Sequence, residues 1–545
     1  MAKTAQKNKA EKLLKAPPVL PADTQNSKLT KLLKVYLSQK EIKLIWDAYR
    51  YSDKAHAGQK RIGGQAYISH PVSVACIASQ FHLDAASIQA ALLHDVVEDT
   101  PSTASDIKKK FGSQVAKLVD GLSKLDKVEF SDDTEAQAEN FRKMLLAMSQ
   151  DVRVILIKLA DRLHNMQTLK PLKPSKRRAI SQETSDIYAP IANRLGLNSV
   201  YQELEDLSFQ YIHPLRYKTI NKAIIASRGN RKEIIEKTLL AIEEKLKQSG
   251  VKAEITGREK NPASIHRKML KKHTNFSQIN DIYGFRIIVN SLNECYLTLG
   301  ALHSLYKPIP GKFKDYIALP KANGYQSLHT TLFGPFGMPF EIQIRSENMH
   351  KLAEAGVAAH WLYKNKDSHV TDLQQQTNQW LKRLLEIQTE SSDSFEFLEH
   401  LKIDLFPDEI YVFSPKGIIF ALPKGATTID YAYAVHTDVG NSAMAAKVNQ
   451  ELVPLRSELT TGDHIEIITA SIGKPNPAWL NFVITAKARS QIRLYLRSAE
   501  NKDLIILGNN MLNNALKAFH VGPAAIKKRH WDKLILDYHL DSKDN

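Results

Sequence analysis

The sequence predicts a multidomain protein: an all-α domain over about residues 29–200, a mixed α/β domain over 201–370, a helical linker over 371–403, a small β-rich module over 404–469 and a helical region over 470–545. Three observations predict it. A chain of 545 residues with 43% hydrophobic content can bury several cores. From residue 29 to 200 apolar positions recur at helical spacing, as in Ile42, Ile45, Trp46 and Tyr49, with few strand signals. Strand-like β-branched runs begin only after a further helical pattern, Asn230 to Gln248, stops at Gly250.

In the α/β domain the clearest runs are Ile282 to Asn290 and Phe340 to Arg345. In the small module, strands Glu409 to Ser414, Ile418 to Leu422 and His464 to Thr469 surround a helix near Thr428 to His436. Residues 1–28 are basic, carry Pro17, Pro18 and Pro21 and lack the apolar stretch of a secretory signal, so a mobile tail is expected there.

The most apolar stretches, such as Val152 to Ala160, already contain an arginine and a lysine, so no membrane span is expected. Two distant cysteines, Cys76 and Cys295, exclude a disulfide framework or a thiolate zinc site and suit the cytoplasm. A formal charge of +17 asks for an anionic partner. Residues 251–330 hold 12 Lys and Arg against 5 Asp and Glu, which suits a highly phosphorylated ligand.

The sharpest chemical signal is Leu92-Leu93-His94-Asp95-Val96-Val97-Glu98-Asp99. On one helix, at about 100° per residue, an imidazole and three carboxylates crowd toward one spot. Carboxylates buried together repel unless a cation neutralises them. A lone His-Asp pair is usually a surface face, but His70 in Tyr67-Ile68-Ser69-His70-Pro71 and Asp161 in Lys158-Leu159-Ala160-Asp161 make three separated clusters. Their order, His, His-Asp, Asp, is the signature of HD-type phosphohydrolases, and two imidazoles with two carboxylates suit manganese, iron or zinc.

These residues and their flanks, including Ala90 to Thr100 and Ala136-Gln137-Ala138-Glu139-Asn140-Phe141-Arg142-Lys143, resemble the hydrolase domain of long RelA/SpoT alarmone enzymes over about residues 40–500. The resemblance implies hydrolysis of guanosine 3′,5′-bis(diphosphate) (ppGpp, and pppGpp) to GDP or GTP and pyrophosphate. It implies manganese on His70, His94, Asp95 and Asp161, with Glu98 and Asp99 beside the attacking water. Arg61, Asn165 and Thr168 match positions that hold the nucleotide, and Arg61 could stack on its base. One departure lies nearby: Gly64-Gln65-Ala66-Tyr67 replaces the Gly-Glu-Pro-Tyr often found in the family.

The second domain is similar to the family's nucleotidyltransferase-like synthetase, through Gly257-Arg258-Glu259-Lys260, Asp281 to Arg286, Lys321 to His329 and Glu341 to Arg345. There the resemblance implies Mg2+ chemistry at Asp281 and Glu341, stacking of the acceptor guanine on Tyr325 beside His329, and a phosphate grip by Arg258, Lys260 and Lys268. Asn261, Ala263 and His266 replace the His, Tyr and Tyr expected on the ATP side, and Lys312 replaces an Arg, so weak or absent synthesis is expected. Lys312-Phe313-Lys314-Asp315 is the basic variant expected of hydrolase-competent members.

Residues 404–469 look like a TGS module, a β-grasp fold that in relatives serves regulation or contact with acyl carrier protein, tRNA or ribosome. Family members continue into zinc-finger-like and ACT regions, which the resemblance places beyond residue 545. Three other readings compete: a bifunctional enzyme, an HD hydrolase of another nucleotide, and a catalytically silent TGS-based sensor. The complete ligand set argues against the last.

Overall fold

The computed structural model describes residues 22–126, 150–229, 232–276, 279, 283–321, 323–337, 339–358, 380, 409–470, 474–496 and 516. Asp281, the Ala136 to Lys143 motif, nearly all of the 371–403 linker and most of 497–545 lie outside these residues. The chain forms two compact units, Met1–Thr389 and Glu390–Asn545.

The first unit begins with helices α1 (Ala22–Leu33), α2 (Gln39–Ala55), α3 (Ser69–Gln80), α4 (Ala85–Leu93), α5 (Val96–Asp99), α6 (Ala104–Asp126) and α7 (Val152–Gln167). Helix α1 takes in the last residues of the expected tail, because Leu29 and Leu33 are buried and the helix packs on α3. Sequence-local caps start three of the others: Ser38 and Glu41 form a capping box on α2, while the Asp84 and Asp151 carboxylates cap α4 and α7. Helix α7 is buried along most of its length, from Val154 to Met166, and packs on α3, α4 and α6. It is therefore the core helix of this domain, and whatever polar groups it carries must be satisfied inside.

Helix α8 (Pro174–Glu183), one π turn (Thr184–Tyr188), α9 (Ala189–Arg194), α10 (Asn198–Ile212), α11 (Pro214–Gly229) and α12 (Lys232–Gln248) lead to a mixed sheet. Its elements are β1 (Ala253–Glu259), α13 (Pro262–Lys272), β2 (Tyr283–Val289), α14 (Leu292–Leu305), β3 (Lys314–Asp315), β4 (Leu328–Phe333), β5 (Pro339–Ser346) and α15 (Glu347–Ala355). Strand order is β1-β2-β5-β4-β3, and only β2 and β5 run parallel. Phe285, Ile287, Val289, Ile342 and Ile344 bury one face against Ile242, Leu246 and Leu302 of α12 and α14. By strand alternation Arg286, Glu341, Gln343 and Arg345 take the opposite face. At the end of α15, Gly356 adopts φ +52°, and a Cβ there would run into the Leu195 carbonyl and Gly196 backbone. Glycine is required for that approach.

The second unit holds a β6 (Glu409–Phe413) and β7 (Ile419–Pro423) hairpin, α16 (Thr428–Val435), α17 (Thr437–Asn441), and a sheet of β8 (Ala443–Val448), β9 (Glu451–Val453) and β10 (Ile465–Thr469) in the order β10-β8-β9. Residues after 469 complete its core: Trp479, Val483, Ala488 and Ile492 pack on Ile429, Ala432 and Tyr433. Asp430, 1% exposed, ties the two stretches together by accepting from Thr427, Ile484 and Thr485. Removing a buried acceptor strands its donors at about 1–3 kcal/mol each. Asp430→Ala is thus expected to destabilise this unit by roughly 3 kcal/mol or more, measured as faster hydrogen exchange in α16.

Candidate metal centre and nucleotide sites

Helices α3 and α7 and the α4–α5 junction bring the expected ligands together. The ligand atoms of His70, His94 and Asp161 lie within 4.8 Å of one another, all three residues buried. Asp161 Oδ1 is 3.2 Å from His70 Nε2 and 3.8 Å from His94 Nε2. Asp95 borders the set, with Oδ1 3.0 Å from His94 Nε2 and Oδ2 3.6 Å from His70 Nε2. The expectation of one continuous helix is corrected here: α4 ends at Leu93, and α5 starts at Val96. A straight helix would turn His94 and Asp95 about 100° apart. Both keep helical backbone, and they reach one corner because the Asp95 carboxylate turns back toward the two imidazoles.

Hydrogen-bond partners fix what the imidazoles offer. His94 Nδ1 lies 2.9 Å from Ala91 O, which only accepts, so that nitrogen carries the proton and Nε2 turns a lone pair to the centre. His70 Nδ1 lies 2.7 Å from His164 Nδ1, which also lies 3.3 Å from Arg61 Nη1. A guanidinium only donates, so His164 Nδ1 is the acceptor and His70 Nδ1 the donor. Two imidazole lone pairs and two carboxylates therefore converge, a donor set that fits a divalent cation.

Burial favours the same protonation. It pushes His70 below its usual range, and burial, with the His70 imidazole and the Arg61 guanidinium alongside, pushes His164 down to about 2. Against the effect of burial, Lys158 and the imidazoles hold Asp161 well below the ordinary carboxylate range. The Lys158 ammonium, itself buried, sits 2.9 Å from Asp161 Oδ2.

Glu98 and Asp99 are exposed on α5. The Tyr67 hydroxyl lies 2.8 Å from Asp95 Oδ2 and 2.6 Å from Asp99 Oδ2, linking a ligand to an outer carboxylate. Burial, then Asp95, raises the Tyr67 hydroxyl far above its usual pKa, so it stays protonated. At the rim Arg61 Nη2 donates to Asn165 Oδ1 at 2.9 Å, and Asn165 Nδ2 donates to Asp161 Oδ1 at 2.7 Å. Thr168, at the end of α7, caps backwards to His164 O. Tyr67, Lys158 and His164 were not expected in the site. Lys158 had left a signal: a cation inside the apolar run Val154 to Ala160, three residues before Asp161, has to be paired.

On the polar face of the sheet, Lys260 Nζ lies 2.8 Å from Glu341 Oε2, and His329 Nδ1 3.3 Å from Glu341 Oε1. His329 Nε2 lies 2.7 Å from the Tyr325 hydroxyl, which accepts from Arg345 at 2.6 Å. Burial notwithstanding, His329 and Lys260 hold Glu341 below its usual range. Lys260, Tyr325, His329 and Glu341 thus form one network, while Arg258 on β1 pairs with Gln202 and Lys268 lies on α13. Tyr325 is 9% exposed, and Arg345 and Lys321 lie 4.7 and 5.1 Å from its ring centroid. The substituted positions have packing roles. Asn261 caps α13, Ala263 is buried in the core shared with Phe209, and His266 stacks on Phe209 at 4.6 Å.

Comparison with known families matches an HD domain over residues 48–198, the region found in RelA/SpoT proteins over 257–368 and a TGS domain over 410–469. The HD domain implies a divalent metal. The bifunctional (p)ppGpp synthase/hydrolase SpoT of Escherichia coli K12 is 53% identical over 488 residues, covering 90% of this chain and 70% of the relative. The guanosine-3′,5′-bis(diphosphate) 3′-pyrophosphohydrolase of Vibrio cholerae is 50% identical over 511 residues, 94% of this chain and 72% of the relative. A GTP pyrophosphokinase of Myxococcus xanthus is 46% identical over 489 residues, 89% of this chain and 64% of the relative. With all three domains matched in order and half the residues identical over most of its length, the chain belongs to the RelA/SpoT family.

Proposed function

We propose that the chain hydrolyses ppGpp and pppGpp to GDP or GTP and pyrophosphate, with manganese on His70, His94, Asp95 and Asp161. The observation that carries this reading is the buried corner where two imidazole lone pairs meet two carboxylates; the relatives named as 3′-pyrophosphohydrolases supply the substrate class. A bound cation would lower the pKa of water and screen the phosphate oxygens. Glu98 or Asp99 takes one proton from the water as its oxygen bonds to the phosphorus next to O3′, and as the O3′–P bond breaks that proton passes to O3′, leaving a free 3′-hydroxyl and pyrophosphate. Tyr67 holds Asp99 in register with Asp95. Arg61, Asn165 and Thr168 hold the nucleotide. Offered ppGpp, GDP, GTP and ATP with manganese, the protein should release pyrophosphate from ppGpp far faster than from the rest; comparable turnover of GTP would favour a different nucleotide hydrolase.

Synthesis from ATP and GDP or GTP, with Mg2+ at Asp281 and Glu341, is proposed to be feeble. Ala263 and His266 serve the packing of α13 on α10, so the expected aromatic faces on the ATP side are missing. A lost base-stacking contact costs about 1–3 kcal/mol, and two reach roughly two orders of magnitude in rate. The intact Lys260–Glu341–His329–Tyr325 network favours the bifunctional alternative. Assaying synthesis in Asp95→Asn decides, since the product then survives. Trace ppGpp is expected; robust accumulation would make the enzyme bifunctional. The TGS module is the proposed contact for acyl carrier protein, tRNA or ribosome, and the cytoplasm the proposed location.

A further inference from the structure

We infer that Arg61 is a positioning residue for the metal centre as well as a nucleotide contact, so that one guanidinium couples substrate binding to cation binding. The inference rests on the proposed hydrolase reading for its substrate, and on the geometry around Arg61 for its substance. Arg61 lies in the loop between α2 and α3, and that loop is held in shape by Arg61 N donating to Gln65 O at 2.9 Å. Its two terminal nitrogens run to two different ligands through one intermediary each. Nη1 reaches His164 Nδ1 at 3.3 Å, and the same nitrogen accepts from His70 Nδ1 at 2.7 Å. Nη2 donates to Asn165 Oδ1 at 2.9 Å, and the Asn165 amide donates to Asp161 Oδ1 at 2.7 Å.

Each arm sets something the cation needs. A guanidinium has no acceptor, so its contact with His164 Nδ1 forces that nitrogen to be an acceptor, which keeps the His70 proton on Nδ1 and the lone pair on Nε2. Its bond to Asn165 Oδ1 fixes the amide orientation, so that NH2, rather than C=O, meets the Asp161 oxygen facing both imidazoles. Lys158 holds the other oxygen at 2.9 Å, which leaves Asp161 one oxygen, Oδ1, for a cation. Arg61 is itself only partly buried, at the mouth of the centre, where a nucleotide can reach it. A planar fork is needed: lysine keeps the charge but has no second rigid donor to serve both arms at once. Anything that recruits Arg61 therefore acts on His70 and Asp161, and binding linkage makes the effect reciprocal.

The test is the manganese affinity of the full chain without nucleotide, read by titration with Mn2+ and electron paramagnetic resonance of the free ion. Losing an outer partner of metal ligands typically costs about 10–100-fold in affinity. Arg61→Ala should weaken manganese by that range, and Arg61→Lys should recover little of it. Asn165→Ala should weaken it too, and the double variant should lose less than the product of the single losses, because both act on Asp161 through one bond. Thermal melting of the metal-free variants reports whether the fold is intact. Unchanged manganese affinity in Arg61→Ala, with only the KM for ppGpp raised, would overturn the inference and leave Arg61 a nucleotide contact. Strictly multiplicative losses would equally sink the Asn165 arm. The wild-type nucleotide assay fails or succeeds separately: a protein that binds manganese through Arg61-supported ligands yet leaves ppGpp intact refutes the hydrolase reading alone.

Discussion

Replacing Asp95 by Asn is expected to remove the cation and hydrolysis together. With both imidazoles neutral, the centre's charges are Asp95, Asp161 and Lys158, and the Lys158 ammonium already balances Asp161 at 2.9 Å. Asp95 is the remaining negative charge facing His70 and His94. At an effective dielectric of about 20, unit charges ~4 Å apart interact by about 4 kcal/mol, and a divalent ion doubles this. Even a third of that, roughly 2.7 kcal/mol, is about a hundredfold in affinity. Metal content by mass spectrometry and pyrophosphate release should fall in step, both by at least two orders. A variant that keeps stoichiometric manganese would place the ligand set elsewhere.

Glu98→Gln is expected to separate metal from chemistry. Glu98 is exposed on the short helix α5, outside the buried donor set of His70, His94 and Asp161. Amide for carboxylate keeps shape and removes the base, which should lower turnover roughly 100-fold or more with manganese retained. Asp99→Asn should do likewise and, through Tyr67, disturb Asp95 slightly. Loss of manganese from Glu98→Gln would make that residue a ligand.

The grouping of His70, His94 and Asp161 was legible in the sequence because buried His and Asp are chemically conspicuous, and the structure brings these candidate ligands together. What supports them was not legible. Tyr67 and His164 acquire roles through contacts 28 to 103 residues away in sequence, and the break between α4 and α5 interrupts a pattern that reads as unbroken helix. Strands β2, β5, β6, β7 and β10 were read from β-branched runs, whereas β8, Ala443–Val448, carries three alanines and pairs because β10 and β9 flank it. Tyr325 was read as the ring that stacks on the acceptor guanine, and its hydroxyl also joins Arg345 and His329. That pairing across strands has no local signature.

The measurement closest to the central claim is 31P NMR of ppGpp incubated with metal-stripped protein, before and after manganese is restored. The ligand geometry predicts no reaction in chelator, and with manganese the stoichiometric appearance of GDP and pyrophosphate. Full activity in excess chelator, or orthophosphate in place of pyrophosphate, would contradict it.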